Sequence, residues 1–162
     1  LRAAFDPEFP GTIPGVMTKE CAMSEPDRAD PDSPPAIAPA LRTLAMPADA
    51  NPNGDIFGGW VLAQMDLAGS VPATERAQGR IATVAMDAVR FHKPVFIGDL
   101  VSMYAWIDRV GSSSITVKVE TWATRRTDAT LVRVTEGTLV YVAIDADGRK
   151  RPVPAGDGGV EV

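Results

Sequence analysis

The segment spanning residues 57–78, FGGWVLAQMDLAGSVPATERAQ, is the feature that most limits what this chain can become. Phe57, Val61, Met65 and Ala68 recur at helical spacing, while Trp60, Leu62 and Leu67 fill the remaining faces. A helix that is apolar on nearly every side has to be buried. Gly79 supplies a stop, Asn53 and Asp55 precede the start as candidate caps, and Pro72 is expected to kink or break the helix.

The chain that follows offers the cover such a helix needs. Four strand-like runs come in succession: 81–91, closed by the turn HKPVFIGD; 100–109, where Val101, Met103, Ala105 and Ile107 alternate; 115–120, where Ile115, Val117 and Val119 alternate with Thr116, Lys118 and Glu120; and 131–144, nearly continuous in apolar residues at its end. The third has the pattern of a half-buried strand, and the fourth predicts burial on both faces. Ahead of the helix, ALRTLAMP reads as one more strand, stopped by Pro47. Short connections imply antiparallel pairing. The expected fold is therefore α+β, an antiparallel sheet of about five strands wrapped around one long central helix. Such a sheet has open edges, and pairing of two copies through an edge strand is the natural remedy.

Residues 1–40 are of a different kind. They hold 8 of the chain's 14 prolines, and 7 acids against 3 bases, so most of the net charge of −5 falls there. Such a segment has little apolar surface to offset its ordering entropy, which predicts a disordered tail over 1–40. The folded domain is expected over 41–154, with a flexible C-terminus over 155–162. Met17 and Met23 lie inside the tail of a chain that opens on Leu1, so a later native start is one reading, which N-terminal sequencing of the native protein tests.

Charge and composition narrow the function. A net-acidic chain is not a phosphate-backbone binder, which excludes nucleic acid as the expected partner. Cys21 is the only cysteine and His92 the only histidine, so no internal disulfide forms and no Cys/His metal cluster is expected. No apolar run approaches the ~20 residues of a membrane span, and no basic-then-apolar leader opens the chain. The expected location is the cytoplasm.

Against that background Asp66 stands out, a carboxylate in the middle of an apolar helix. A charge there is costly unless it is paired or used. Eight and seven residues before it, Gly58 and Gly59 open the helix, where the first backbone N–H groups lack intrahelical acceptors and the dipole is positive. That end suits a carbonyl oxygen gaining negative charge. At ~1.5 Å per residue, Asp66 lies about 10 Å from Gly59 along the axis, too far to serve a carbonyl held at its own helix end. Two antiparallel helices across a dimer axis would bring the Asp66 of one chain near the Gly59 of the other. Spacing alone leaves open that Asp66 is a polar group satisfied by a neighbouring strand and that the glycines only permit close packing.

The run LRTLAMPADANPNGDIFGGWVLAQMDLAG resembles the start of the bacterial YciA-type acyl-CoA thioesterases, of the hotdog-fold superfamily, and the likeness continues through GRIATVAMDAVRFHKPVFIGDLV, VGSSSITVKVETW and YVAIDADGRKRPVP. The resemblance covers residues 41–154. It implies a hotdog fold paired into dimers that often assemble into hexamers, and hydrolysis of acyl-CoA thioesters without metal or cofactor. It places Asp66 as general base or nucleophile, Asn53 and Asp55 as polar groups supplied by the partner subunit, and Gly58 and Gly59 as the carbonyl-polarising end. For the phosphates of coenzyme A it suggests Lys93, Ser112 and Ser113, beside the Arg125–Arg126 pair at a strand end. Trp60, Met86 and Trp106 are the side chains expected to set acyl-chain length. A non-hydrolytic acyl-CoA sensing module is the rival reading. A dehydratase is a third, disfavoured because His92 is expected to lie in a turn.

Overall fold

The computed structural model describes residues 21–155. The parts of the tail and C-terminal expectations that fall on 1–20 and 156–162 lie outside the described residues. In chain order the elements are β1 (Cys21–Ala22), β2 (Leu41–Leu44), a 3-10 turn (Pro47–Asp49), α1 (Gly58–Ala77), β3 (Ile81–Phe91), β4 (Leu100–Val110), β5 (Ser114–Thr124) and β6 (Leu131–Ala143). The long strands form one antiparallel sheet in the order β1-β4-β5-β6-β3, with β2 also paired to β4.

The helix forms where its periodicity places it. Gln78 ends it in a left-handed conformation, with Gly79 following at positive φ. Pro72 does not break it, and one continuous helix runs through that position. Val61, Met65, Ala68, Gly69, Ala73 and Ala77 are buried, chiefly against β4 and β5. Val101, Met103, Ile115, Val117, Val119, Leu139 and Tyr141 complete this core. The wrapping is one-sided, however. Leu67 is 56% exposed and Val71 42%, and the neighbouring edge strand β3 shows Val84, Met86 and Phe91 to solvent. The face of α1 that the sheet does not reach carries Leu67 and Val71 among the polar residues Asp66, Ser70, Thr74 and Glu75.

Two expectations need correction. The first concerns neighbours. β4–β5 and β5–β6 are hairpins, but β3 does not turn back on β4; it pairs with β6 at the far edge. Segment 92–99 instead crosses the sheet end beneath the loop that leads into α1. Ile56 N–H donates to Val95 O (2.9 Å) and Gly98 N–H to Ala45 O (2.8 Å) along this path. The second concerns residues 21–40, expected to be disordered. They run across the outer face of the sheet, starting with β1 on β4. The Arg28 guanidinium reaches both carboxylate oxygens of Glu120, at 2.6 and 3.1 Å. On that face Tyr104, Trp106 and Trp122 form a second buried cluster, and β5 is consequently buried on both sides rather than half-buried. Trp106 therefore belongs to the outer layer and does not line the helix side of the sheet. Among the described residues no helix is long and apolar enough to cross a membrane.

Candidate active site

Asp66 sits half-buried at mid-helix, on the side of α1 facing β3 and β6. Thr83 of β3 donates its hydroxyl to Asp66 Oδ1 at 2.7 Å. Tyr141 of β6 donates its hydroxyl to the Asp66 main-chain carbonyl at 2.9 Å. Thr83 and Tyr141 are direct cross-strand partners, and the β3–β6 register slips immediately afterwards, between Thr83 and Ala85. A bulge re-aims the side chains beside it. No cation is paired with the Asp66 carboxylate in the ion pairs of the described residues. Burial pushes the Tyr141 phenol well above its ordinary value, and the negative charge of Asp66 pushes it further, so it is a neutral donor throughout the working pH range.

At the helix start, Phe57 occupies the cap position and no side chain caps it. Asn53 and Asp55 are therefore not caps. The loop is closed by Asn51, whose Oδ1 accepts the N–H groups of Asn53 (2.9 Å) and Asp55 (3.2 Å), while its own N–H donates to Asp55 O (2.6 Å). The tight return needs Gly54, at φ +89°. Asp55 is half-buried and bridges to Phe96 of the crossing segment; Asn53 points to solvent. The amides of Gly58 and Gly59, first in the helix, have no intrahelical acceptor. A Cβ on Gly58 would touch the Phe91 ring at 3.4 Å, whereas one on Gly59 would meet nothing within 4 Å. The open approach is thus at Gly59.

The expected cations divide. The Arg125 guanidinium is committed to Asp99 and to Pro94 O (3.0 Å), and lies 4.5 Å over the Phe96 ring. It braces the crossing segment and is not a free phosphate ligand. Arg126 is exposed, its stem crossing Gly98, and Lys93 is exposed on the same crossing segment. Ser112 and Ser113 lie in the β4–β5 turn, where their carbonyls accept the Val153 and Ala143 N–H groups. That turn is at the other end of β5 from Arg126, about 33 Å away at ~3.3 Å per residue. Within one chain Asn53, Asp55, Gly58 and Gly59 lie at the start of α1, Lys93 lies on the crossing segment 92–99 and Arg126 against it at Gly98, Asp66 is at mid-helix, and Ser112 and Ser113 are in the turn at the far end of β5. His92 is a turn residue, 3.3 Å from Glu136 and remote from Asp66 in the sheet register. Among the described residues no group of His, Cys, Asp and Glu is arranged to hold a metal.

Sequence reasoning missed Asn51, Thr83 and Tyr141. Asn51 lay in the motif but carried no special spacing, and Thr83 and Tyr141 look like ordinary strand residues until the register aims them at Asp66.

Comparison with known proteins identifies the family and the fold. Residues 53–130 match the model of the thioesterase superfamily. The acyl-CoA thioester hydrolase YciA of Salmonella typhimurium is 44% identical over 126 residues, which span 76% of this chain and 95% of that protein. Among solved structures, the hexameric thioesterase from Yersinia pestis superposes with a TM-score of 0.71 at 48% identity, covering 75% of this chain and 99% of the other. A hexameric hotdog fold thioesterase of Campylobacter jejuni gives 0.70 at 44% identity, over 72% of this chain and 90% of its own.

Proposed function

The chain belongs to the YciA-type acyl-CoA thioester hydrolases of the thioesterase superfamily, and from that premise we propose that it hydrolyses acyl-CoA to a free carboxylic acid and the coenzyme A thiol, with Asp66 as the reacting carboxylate. The observation that carries the assignment of the residue is the contrast between position and partners. Asp66 is placed in an apolar helix, held by a neutral hydroxyl, and left without a cation. Its charge is available to accept a proton from water, or to attack the thioester carbon directly and form an anhydride that water then opens. In either route the carbonyl oxygen gains negative charge, and the free amides at Gly58 and Gly59 suit it. Asn53 and Asp55 flank that helix end and orient water or substrate there.

One helix cannot supply both groups to one carbonyl, because about 10 Å of axis separates them. The uncovered face of α1, with Leu67 and Val71, and the exposed β3 residues Val84, Met86 and Phe91 make a surface that a second copy covers. Antiparallel pairing across it brings Asp66 of one protomer toward Gly59 of the other. It also brings the Ser112–Ser113 turn of one chain toward Lys93 and Arg126 of its partner, where the phosphates of coenzyme A find their cations. Pairs then assemble into hexamers, as the Yersinia and Campylobacter proteins do.

The test is release of free thiol from a panel of acyl-CoAs of increasing chain length. Turnover on at least one member is the expected result. Tight binding of every member without thiol release would replace this reading with that of a sensing module.

A further inference from the structure

We propose that Tyr141 is a positioning residue for Asp66, the main-chain half of a two-point clamp whose other half is Thr83. The inference rests on the reading of Asp66 as the reacting carboxylate. Thr83 and Tyr141 face each other across the β3–β6 ladder, and both hydroxyls are aimed at a single helical residue. Thr83 holds the carboxylate at 2.7 Å; Tyr141 holds the carbonyl of the same residue at 2.9 Å. Side chain and backbone of Asp66 are thereby referred to one rigid cross-strand pair.

The helix is shaped to admit this contact. A Cβ on Gly69 would lie 2.5 Å from the Tyr141 hydroxyl oxygen and 3.3 Å from Val119 Cγ2. Gly69 is one turn beyond Asp66 on the buried face, so its missing side chain is the slot through which the phenol reaches the Asp66 carbonyl. That carbonyl is also the normal acceptor of a helical N–H, and the phenol therefore adds a second donor rather than replacing a lost one. A hydroxyl serving only to fill the core has no need of this arrangement, since phenylalanine fills the same volume. Tyr141 is fully buried, and burial together with the nearby Asp66 charge keeps the phenol protonated, so the clamp does not release with pH in the neutral range.

The experiment is steady-state hydrolysis of a good acyl-CoA substrate by Tyr141→Phe, Thr83→Val and the double variant, well below their melting temperatures. The expected result is a roughly fivefold fall in kcat for Tyr141→Phe with KM unchanged, since the loss is in how the carboxylate is held and not in substrate binding. Once Thr83→Val is present, adding Tyr141→Phe costs less than about twofold, because a clamp that has lost one point gains little from the other. Gly69→Ala, which displaces the phenol without altering it, lowers kcat in the same way. Tyr141→Phe with wild-type kcat, or with the same cost in the Thr83→Val background as alone, would overturn the clamp. Retained turnover in Asp66→Asn would instead overturn the assignment of Asp66.

Discussion

Two carboxylates sit in the middle of regular elements, Asp66 in α1 and Glu120 in β5, and they are held in opposite ways. Glu120 is 6% exposed and takes both nitrogens of Arg28, the Trp122 indole N–H at 3.0 Å and the charge of Arg133. Burial raises its pKa, but those partners outweigh burial and hold the carboxyl below its ordinary range. Asp66 is half-buried and is held only by neutral hydroxyls, Thr83 on its carboxylate and Tyr141 beside it. A carboxylate fully neutralised by a guanidinium has no charge left to offer a substrate. It ties two segments together, here residues 21–40 to the outer sheet face. A carboxylate that is oriented but not neutralised keeps a charge that a substrate or water can meet. On the proposed reading of Asp66, the difference separates a fastening from a reactive group, although both are acids in places where acids are costly.

The contrast is broken most directly by neutralising each acid in turn. Asp66→Asn is expected to lower kcat by at least about 100-fold, the scale of a lost general base, while melting temperature stays within a few degrees of the wild type. Glu120→Gln does the reverse. It leaves the Arg28 guanidinium with only the exposed Glu25 as a carboxylate partner and costs about 2–3 kcal/mol, less than for a fully buried pair because Arg28 keeps Glu25 and some access to water. Thiol release per folded enzyme is unchanged. Denaturant titration and thiol release on both variants check the pair of outcomes, and a Glu120→Gln enzyme that folds normally but is inactive would erase the distinction.

Titration sharpens it. A carboxyl held below its unfolded value adds stability that is complete above the ordinary 4.5 and is lost as pH falls through the lower native value. Wild-type protein is therefore expected to lose more stability than Glu120→Gln between about pH 5 and pH 2, measured by denaturant midpoints at each pH. Equal slopes would mean that the Arg28–Glu120 pair contributes nothing.

The arginine pair gives a smaller version of the same contrast. Arg125→Ala leaves Asp99 buried at 2% exposure without its guanidinium and is expected to destabilise by about 3 kcal/mol. Arg126→Ala leaves stability unchanged and raises KM for acyl-CoA several-fold, as loss of one exposed phosphate contact would. Interchanged outcomes would mean that the two neighbours have been assigned the wrong way round.

Much of this was legible in the sequence, and what was not has identifiable causes. The helix was readable because its apolar period is long, and β5 and β6 because alternation and continuous apolarity are strong signals. The position of β3 was not, since the segment 92–99 carries turn residues whether it reverses the chain or crosses the sheet end. The order of residues 21–40 was hidden because their composition is that of a disordered segment, while Arg28 finds its acid 92 positions away. Asp66 was visible as a charge in the wrong place. Thr83 and Tyr141 were not, because only the register of β3 against β6 turns two common strand residues toward one helical carboxylate. The Arg pair looked uniform because sequence shows charge but not its partner.

The most direct test of the central claim, that Asp66 of one protomer works with the Gly59 helix end of another, is complementation in mixed oligomers. Asp66→Asn removes the carboxylate, and Gly59→Val fills the open approach at the helix start, where an added Cβ meets nothing of its own chain within 4 Å. Each variant alone is expected to be inactive. Random re-pairing of equal amounts gives half mixed dimers with one intact site each, so about a quarter of wild-type activity should return. Activity no higher than that of the two parents would place both groups in the same chain and contradict the shared site.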